Sequence, residues 1–437
     1  MAHGIGLDFG TTNSALAIAE PGRAVEVVRF AAPTGDTESF RSILCCGRAE
    51  GAREVESVAG PQAIARYAEL DGERRLLQSL KAFLASRLFT STNLLGRATT
   101  LQDMISRIVR SLLDEAASSH APVGERSGAL VVGRPVRFAR SRRPEDDAFA
   151  RARLAESLRQ AGLGEFRFEY EPVAAAYHYE QSLDADELVL IADFGGGTSD
   201  FCLLRVGPSL RGRSRRSEDI LGTEGVAVAG DVFGAKLVRH VVAPRLGRNS
   251  LQQKLFGTPV PVPAWIFRDL ERWHHLSFLR SPNTLAVLHD VLRHSLEPEK
   301  IGALLHLVEN DLGYALYQAV ERTKTELSRC DESWLRFEDP PAVIEERVTR
   351  AQFEGWIAEE LALISDCAER LLASTGIRPE QVDRVFLTGG SSFVPAVRRI
   401  FEERFGSDKI RSGGELISVA SGLALRALDA EADETGA

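Results

Sequence analysis

The sequence lacks several features that would assign it to common protein classes. No apolar run approaches the about 20 residues of a membrane-spanning helix, and the N-terminus lacks the basic flank and apolar core of a signal peptide. There is no basic surplus, since the formal net charge is -9 at pH 7. Only five cysteines occur, without paired metal-ligand spacing, and Cys45 and Cys46 are adjacent. We therefore expect no membrane span, no nucleic-acid partner, reduced thiols and a cytoplasmic location.

What the sequence does contain is a long-range repeat. The segment GIGLDFGTTNSALAIA at 4–19 and the segment LVLIADFGGGTSDFCLL at 188–204 each place an aspartate before a glycine-containing turn. The two aspartates, Asp8 and Asp193, are 185 positions apart. This separation is too long for a solenoid period and fits two copies of a domain-sized unit. With 437 residues, of which 44% are hydrophobic, the chain can form two or more such units.

Each copy of the repeat predicts a β-hairpin. Ile5, Leu7 and Phe9 alternate with smaller residues before the first turn, and the second copy opens with a continuous apolar run at 188–192. Glycine turns leave backbone N–H groups accessible, so two of them can bind successive phosphates, while an aspartate at each strand end can hold magnesium. A single such turn would be an ordinary aspartate-initiated turn, whereas two indicate a function. No protein-kinase catalytic loop and no GxxxxGK[ST] loop accompany them.

A third glycine turn occurs near the C-terminus. The segment VDRVFLTGGSSFVPAVRRIFEERFG at 382–406 predicts a strand at 385–388, a turn at 389–391 and a following amphipathic helix. The N-terminus of a helix favours an anion or the polar edge of a ligand. The sequence therefore predicts a third ligand contact after the two phosphate turns.

Taken in order, these segments resemble the actin, sugar-kinase and heat-shock-70 ATPase superfamily, and most closely its DnaK-type chaperone branch. The motifs YEPVAAAYHYE at 170–180 and SLKAFL at 79–84 are similar to the connecting helix and the catalytic-lysine segment of that family. VERTKTELS at 320–328 is similar to its nucleoside-binding helix, and VTRAQFE at 348–354 to a strand-to-helix entry. The resemblance extends from about residue 4 to about residue 426.

The resemblance implies a set of site residues. Asp8 and Asp193 would lie beside magnesium, Lys81 would approach the γ-phosphate, and Glu171 with Asp193 would orient the attacking water. Thr198 would be the hydroxyl beside the γ-phosphate. The remaining residues implied to contact the nucleotide are Gly10, Thr11, Thr12, Asn13, Gly195, Gly196, Gly197, Gly230, Asp231, Glu321, Lys324, Ser328, Gly389, Gly390, Ser391 and Phe393.

The nucleoside side departs from the family pattern. Glu321, Lys324 and Ser328 share one helix face, which fits ribose and adenine contacts but also an ordinary exposed ion pair. Thr325 and Phe393 stand where the family has two arginines that enclose the adenine ring. Phe393 either stacks on adenine or points into the core. We expect nucleotide affinity below the family norm.

An enlarged segment at 255–310 is similar to the YegD-like subgroup of the family, which consists of the nucleotide-binding domain alone. A metal site is disfavoured there, because adjacent histidines on a regular helix cannot both face one ion. We expect packing or a surface for an unidentified protein partner or client. Its aromatic and imidazole residues are Trp265, Phe267, Trp273, His274, His275, Phe278, His289, His294 and His306.

The expected fold is α/β, a two-lobed actin-like ATPase fold. It has duplicated ribonuclease-H-like lobes, mixed sheets flanked by helices, and a nucleotide cleft between the lobes. Lobe I covers 1–184 with an inserted subdomain at about 38–103, and lobe II covers 185–411 with a peripheral subdomain at about 229–344. A final helix at 412–430 returns to lobe I, and a tail at 431–437 is expected to be disordered.

The expected function is a magnesium-dependent, slow ATPase that binds ATP and ADP, with potassium as a further candidate ion. Nucleotide state would control the binding of a protein partner in chaperone work. Because the sequence stops at 437, we expect no peptide-binding domain and no peptide capture by the usual cleft. The alternatives are a metabolite kinase of the same superfamily and an actin-like filament-forming ATPase.

Overall fold

The computed structural model describes residues 3–33, 35–48, 54–70, 73–119, 129–141, 143–211, 216–253, 257–272, 279–413 and 417–435. The chain forms two compact units. The first contains Met1–Ala229, Ala362–Phe393 and Val397–Ala437, and the second contains Gly230–Leu361 and Val394–Ala396. The predicted division into lobes at 184 and 185 stays a prediction.

The strands and helices are numbered in chain order. The strands are β1 (Gly4–Phe9), β2 (Asn13–Ala19), β3 (Glu26–Val27), β4 (Phe40–Arg41), β5 (Ile43–Arg48), β6 (Glu56–Ala59), β7 (Glu73–Gln78), β8 (Ser91–Leu94), β9 (Arg97–Thr100), β10 (Leu130–Arg134), β11 (Arg167–Tyr170), β12 (Glu187–Phe194), β13 (Ser199–Val206), β14 (Ile220–Val226), β15 (Leu251–Gln252), β16 (Val260–Pro261), β17 (Glu332–Asp339), β18 (Ala342–Thr349), β19 (Arg384–Thr388) and β20 (Ile410–Ser412). The α-helices are α1 (Gln62–Glu69), α2 (Leu101–Ser119), α3 (Pro144–Gln160), α4 (Glu171–Glu180), α5 (Gly230–Leu237), α6 (Ala243–Arg245), α7 (Ala264–Leu270), α8 (Pro282–His294), α9 (Pro298–Glu309), α10 (Gly313–Leu327), α11 (Arg350–Trp356), α12 (Ala358–Thr375), α13 (Pro395–Phe405) and α14 (Ser418–Thr435).

Two sheets of the first unit have the same topology. In one, β1, β2 and β3 form an antiparallel meander, and β10 and β11 extend it as parallel strands on the other side of β1. In the other, β12, β13 and β14 form the meander, and β19 and β20 are the parallel strands beside β12. The two predicted hairpins are therefore confirmed. The predicted α/β fold with mixed sheets flanked by helices is also confirmed.

Helices α4 and α14 pack on these sheets, and at two glycines their backbones come into close contact with neighbouring backbone. Helix α14 packs on β1, β2 and α4, while α4 also packs on β12 and β13. A Cβ atom on Gly6 would lie 2.2 Å from the carbonyl oxygen of Ala420, and one on Gly422 would lie 1.7 Å from that of Ala174. Only glycine leaves room for such backbone contact. This explains why the first strand opens with Gly-Ile-Gly.

The last helix differs from its predicted bounds. It begins at Ser418, after β20, and continues to Thr435. The sequence expectation was a helix at 412–430 followed by a disordered tail at 431–437. The alanine- and glutamate-rich sequence after 429 has good helix propensity, which accounts for the longer helix. Residues 436 and 437 lie outside the described part of the chain.

The second compact unit contains the enlarged segment at 255–310. Phe267 is a core residue of α7, Trp265 is half-buried, and His289 and His294 are exposed on α8. His306 is half-buried and its Nε2 lies 2.7 Å from Asp339 Oδ1. Trp273, His274, His275 and Phe278 lie outside the described residues. The role of this segment as a partner surface stays a prediction.

Across the described ranges, no helix combines the length and apolar character required to cross a membrane.

Candidate active site

Two glycine turns of the first unit face each other. Turn 1 (residues 10–12) joins β1 to β2, and turn 2 (residues 195–198) joins β12 to β13. Turn 2 is closed by a hydrogen bond of 3.0 Å from the backbone N–H of Gly195 to the carbonyl of Thr198. A Cβ atom on Gly197 would lie 3.6 Å from the Thr11 hydroxyl oxygen, which is van der Waals contact. The structure therefore brings the two copies of the sequence repeat together.

Turn 3 (residues 389–391) packs directly on turn 2. Gly389 has a φ of +79°, and a Cβ atom there would lie 2.3 Å from the carbonyl oxygen of Phe194. The Ser391 hydroxyl donates a hydrogen bond of 3.2 Å to the carbonyl of Gly195. Phe393, at the end of the short 3-10 helix Gly390–Phe393, is 56% exposed. This exposure rules out the alternative in which Phe393 belongs to the core.

A lysine and four carboxylates lie beside these turns. Asp8 is the next-to-last residue of β1, Asp193 holds the same position in β12, and Glu171 opens α4. Lys81 Nζ donates a hydrogen bond of 2.6 Å to Glu171 Oε1. A Cβ atom on Gly133 would lie 3.3 Å from Glu171 Cγ and 3.6 Å from Asp8 Oδ1, so these two acids flank one glycine. The local sequence thus places each acid at a strand or helix end.

The fourth carboxylate, Asp200, was not found by sequence reasoning. It lies directly across from Asp193 in the β12–β13 pair and is 1% exposed. Its Oδ1 accepts hydrogen bonds from the backbone N–H groups of Val136 at 2.8 Å and Arg137 at 3.2 Å, and Thr198 also bonds to it. The available signal was an acidic residue at the start of the largely apolar strand β13, two positions after the predicted site residue Thr198.

Burial and mutual repulsion control the charges of this group. Burial, followed by the charge of Glu171, raises the pKa of Asp8 to about 7 and that of Asp200 to about 7. The same two causes raise the pKa of Asp193 well above its ordinary value. Burial lowers the pKa of the Lys81 ammonium, but Glu171 and Asp8 outweigh it, so the pKa of Lys81 is raised. The excess of acids over bases favours a cation at this position.

The donor set fits magnesium held through water. Asp8 Oδ1 is buried without a hydrogen-bond partner in the protein, which leaves it available to an ion or its hydration shell. Within the described part of the chain, no three His, Cys, Asp or Glu side chains are close enough to ligate one metal ion directly. Magnesium keeps several of its waters in most protein sites, so Asp8 and Asp193 would contact it through them.

The remaining predicted residues lie on the loops and helices that the sequence indicated. Thr11 and Thr12 are half-buried in turn 1, and Asn13 Oδ1 accepts a hydrogen bond of 3.3 Å from Arg41 Nη1. Gly195 in turn 2 and Gly390 in turn 3 are exposed, and Gly196 in turn 2 is half-buried.

The predicted nucleoside residues form a group within the second compact unit. Lys324 Nζ, on α10, donates to Glu321 Oε1 at 2.6 Å and to the carbonyl of Gly230 at 3.2 Å. The Ser328 hydroxyl donates to the carbonyl of Lys324 at 3.1 Å, and Asp231 is half-buried in the first turn of α5. The ion pair that helical spacing predicts is therefore present, and it lies against the start of α5.

We expect the metal-free, nucleotide-free protein to lose stability as pH rises from about 4 to about 7. The pKa of Asp200 is about 7 in the folded protein, against an ordinary value of 3.8. At pH values between these two, the folded state holds a proton that the unfolded chain has released. Raising the pH removes this contribution, which is worth about 1.4 kcal/mol per pH unit for each such proton. Urea unfolding with a chelator at several pH values measures the slope.

Asp200→Asn should make that slope shallower, because the amide does not titrate, whereas Asp8 and Asp193, whose pKa values are also raised, keep part of it. Asp184→Asn, at an exposed position of the same unit, is the matched control and should leave the slope unchanged. A slope in Asp200→Asn equal to that of the unaltered protein would contradict the assignment.

Comparison with known proteins adds independent findings. The family model described as Hsp70 protein matches residues 298–430. The chain is 26% identical over 455 residues to the chaperone protein DnaK of Thermus thermophilus, covering 98% of this chain and 61% of that protein. It is 25% identical over 448 residues to the chaperone protein DnaK of Trichormus variabilis, covering 97% of this chain and 54% of that protein. The chain thus spans about 61% or less of the length of these curated relatives.

Proposed function

Because the chain belongs to the Hsp70 family, we propose that it binds ATP and ADP with magnesium, hydrolyses ATP slowly, and switches its affinity for a protein partner with the bound nucleotide. The observation that carries this proposal is the contact between turns 1 and 2, where Gly197 faces Thr11 beside one lysine and four carboxylates. Chaperone work in the cytoplasm, with the segment at 255–310 as a partner surface, is part of the proposal.

The two turns would bind the polyphosphate. Their glycines leave backbone N–H groups accessible to phosphate oxygens, and the hydroxyls of Thr11, Thr12 and Thr198 add donors around the same space. When bound, magnesium neutralises charge on the outer phosphates. Asp8 and Asp193 would hold it through its waters.

Lys81 and Glu171 would act at the γ-phosphate. The Lys81 ammonium is buried and fixed by Glu171 Oε1 at 2.6 Å, so its charge is in place before the transition state forms. Glu171 and Asp193 would orient the attacking water, and a carboxylate within hydrogen-bond reach of that water can accept its proton. The products are ADP and inorganic phosphate.

Phe393 would take part in holding the base. Its ring is exposed at turn 3, and an aromatic ring can stack on adenine as a guanidinium plane does. Thr325, where the family has the second arginine, is exposed on α10 and has no planar group. This difference supports weaker adenine binding than in the family.

The proposal is tested by following ADP release from magnesium-ATP in single turnover, alone and with a panel of sugars and polyols. We expect slow hydrolysis at a rate that the added compounds do not change. Acceptor-dependent ADP release, with a phosphorylated product, would overturn the switch and support a metabolite kinase. Absence of any nucleotide binding by calorimetry would contradict both.

A further inference from the structure

Lys81 is presented by a short and unusual piece of backbone. It lies in the 3-10 helix Leu80–Phe83, which starts after Ser79 in the left-handed region with a φ of 51°. Two hydrogen bonds, each closing a single 3-10 turn, shape this segment. One runs from the Ala82 N–H to the Ser79 carbonyl and the other from the Leu84 N–H to the Lys81 carbonyl. A 3-10 turn of this length is a weak element on its own. Its position must therefore be fixed by something outside the segment.

Arg153, on α3, provides that fixation. Its side chain is buried, with the residue only 6% exposed. The two N–H groups of Nη1 are shared among the carbonyls of Phe83 at 3.2 Å, Leu84 at 3.1 Å and Ser86 at 3.1 Å, and Nη2 donates to the carbonyl of Phe89 at 2.9 Å. One guanidinium thus binds four carbonyls of the chain that directly follows Lys81.

The charge of Arg153 is not matched by an acid. Among the described residues no carboxylate pairs with it, and burial lowers its pKa without an opposing charge. The guanidinium nevertheless stays protonated in proteins, so the four carbonyl dipoles are what stabilise it. The Phe149 ring, 5.3 Å from the guanidinium carbon, adds a cation–π contact. A buried arginine used in this way specifies one conformation of the segment it binds.

Neighbouring contacts show that this segment is docked on α3 as a whole. The ring centres of Phe83 and Phe89, two of the residues whose carbonyls Arg153 binds, lie 4.6 Å apart. Arg87, from the same segment, contacts the same Phe149 ring as Arg153, with its guanidinium carbon 4.6 Å from the ring centre. The carbonyls that Arg153 binds begin two residues after Lys81, at the end of the 3-10 helix itself.

We propose that Arg153 is a positioning residue for Lys81. By binding the carbonyls at 83–89 it fixes the 3-10 helix, and the fixed helix holds the ammonium against Glu171. The catalytic part of this inference rests on the proposed ATPase function, whereas the structural part does not. A displacement of about 1 Å in a catalytic group can lower a rate about 100-fold, so such an anchor matters to turnover.

The structural part is tested by hydrogen exchange on the protein without nucleotide. Arg153→Met removes the charge and keeps an unbranched apolar stem, and Arg153→Lys keeps the charge with fewer donors. Arg151→Met changes an exposed arginine of the same helix. We expect the amides of Ala82, Leu84 and Ser86 to exchange about 10-fold faster or more in Arg153→Met, relative to core amides of β10. Arg153→Lys should be intermediate, and Arg151→Met should match the unaltered protein.

The catalytic part is tested by single-turnover hydrolysis and by calorimetry with magnesium-ADP. Arg153→Met should lower the hydrolysis rate constant about 10-fold or more, with ADP affinity within about 2-fold. Arg153→Lys should recover part of the rate. The double variant of Lys81→Ala with Arg153→Met should be no slower than Lys81→Ala alone, because both act through one ammonium.

Several outcomes would overturn the proposal. Unchanged amide exchange at 82–86 in Arg153→Met would refute the claim that Arg153 fixes this segment. Faster exchange with an unchanged hydrolysis rate would refute the claim that Arg153 positions Lys81 for hydrolysis. If the unaltered protein does not hydrolyse ATP, the proposed function fails, and the exchange data still decide whether Arg153 fixes the segment. If Arg153→Met unfolds the whole chain, Arg153→Lys decides by the same criteria.

Discussion

Lys81→Ala should slow single-turnover ATP hydrolysis by a factor of about 10 to 1,000 while leaving magnesium-ADP affinity within about 2-fold. The ammonium faces Glu171 at 2.6 Å, and under the proposed function it would stabilise charge that spreads over the γ-phosphate only during transfer. It would therefore contribute more to the transition state than to binding. Quenched single-turnover measurements give the rate, and calorimetry gives the affinity.

The matched control is Lys300→Ala, at a partly exposed lysine that pairs with Glu297 in the other compact unit. It should change neither quantity. An unchanged hydrolysis rate in Lys81→Ala would remove the role assigned to this lysine, and a large loss of ADP affinity would place it in binding instead.

Arg216→Met should lower the free energy of unfolding by about 3–5 kcal/mol. Arg216 is 1% exposed, and its Nη1 and Nη2 bind the two carboxylate oxygens of Glu180 at 3.0 and 2.8 Å. Its Nε also lies 3.1 Å from Asp219 Oδ2, and its guanidinium carbon lies 4.8 Å from the Tyr177 ring centre. Removing the guanidinium leaves the Glu180 carboxylate buried without its partner. Urea unfolding of both proteins at one pH measures the loss.

Replacing both members of the pair should cost less than replacing Arg216 alone. In the double variant of Glu180→Leu with Arg216→Met the Glu180 carboxylate is gone, so only Asp219 loses its charged partner at this position. Arg205→Met, at an exposed arginine of β13, is the control and should stay within about 0.5 kcal/mol of the unaltered protein. A loss below about 1 kcal/mol in Arg216→Met would contradict the account of this ion pair.

The ion pair also bears on the active site, because Glu180 ends the helix that Glu171 begins. Helix α4 is buried along nearly its whole length and packs on strands of both duplicated sheets. A loosened C-terminal end would change the orientation of the N-terminal end. We therefore interpret α4 as a rigid connection between the Lys81–Glu171 pair and the ion pair of Arg216.

The features that sequence reasoning predicted are those that local chemistry determines. Glycine turns after apolar strands predicted both hairpins, and the repetition of Asp8 by Asp193 predicted two related sheets. Lys81 and Glu171 were implied as site residues by the family resemblance and not by local chemistry, and their contact joins residues 90 positions apart in the chain. Helical spacing likewise predicted that Glu321 and Lys324 are neighbours.

The features that it missed depend on partners distant in sequence. Asp200 becomes part of the site only because strand pairing sets it across from Asp193. Arg153 belongs to no local motif, and the four carbonyls that it binds are more than 60 positions away in the chain. The sequence did not decide whether Phe393 is exposed or buried, because a short apolar segment after a turn does not fix which side chain faces outward.

The central claim is that two glycine turns, one from each of two sheets with the same topology, bind one magnesium-nucleotide complex. A crystal structure with magnesium and a non-hydrolysable ATP analogue tests it most directly. The account predicts density for the polyphosphate between Thr11 and Gly197, with the ion reached through water from Asp8 and Asp193. Density for the nucleotide elsewhere on the protein, or a space between the turns closed by side chains at saturating ligand, would contradict it.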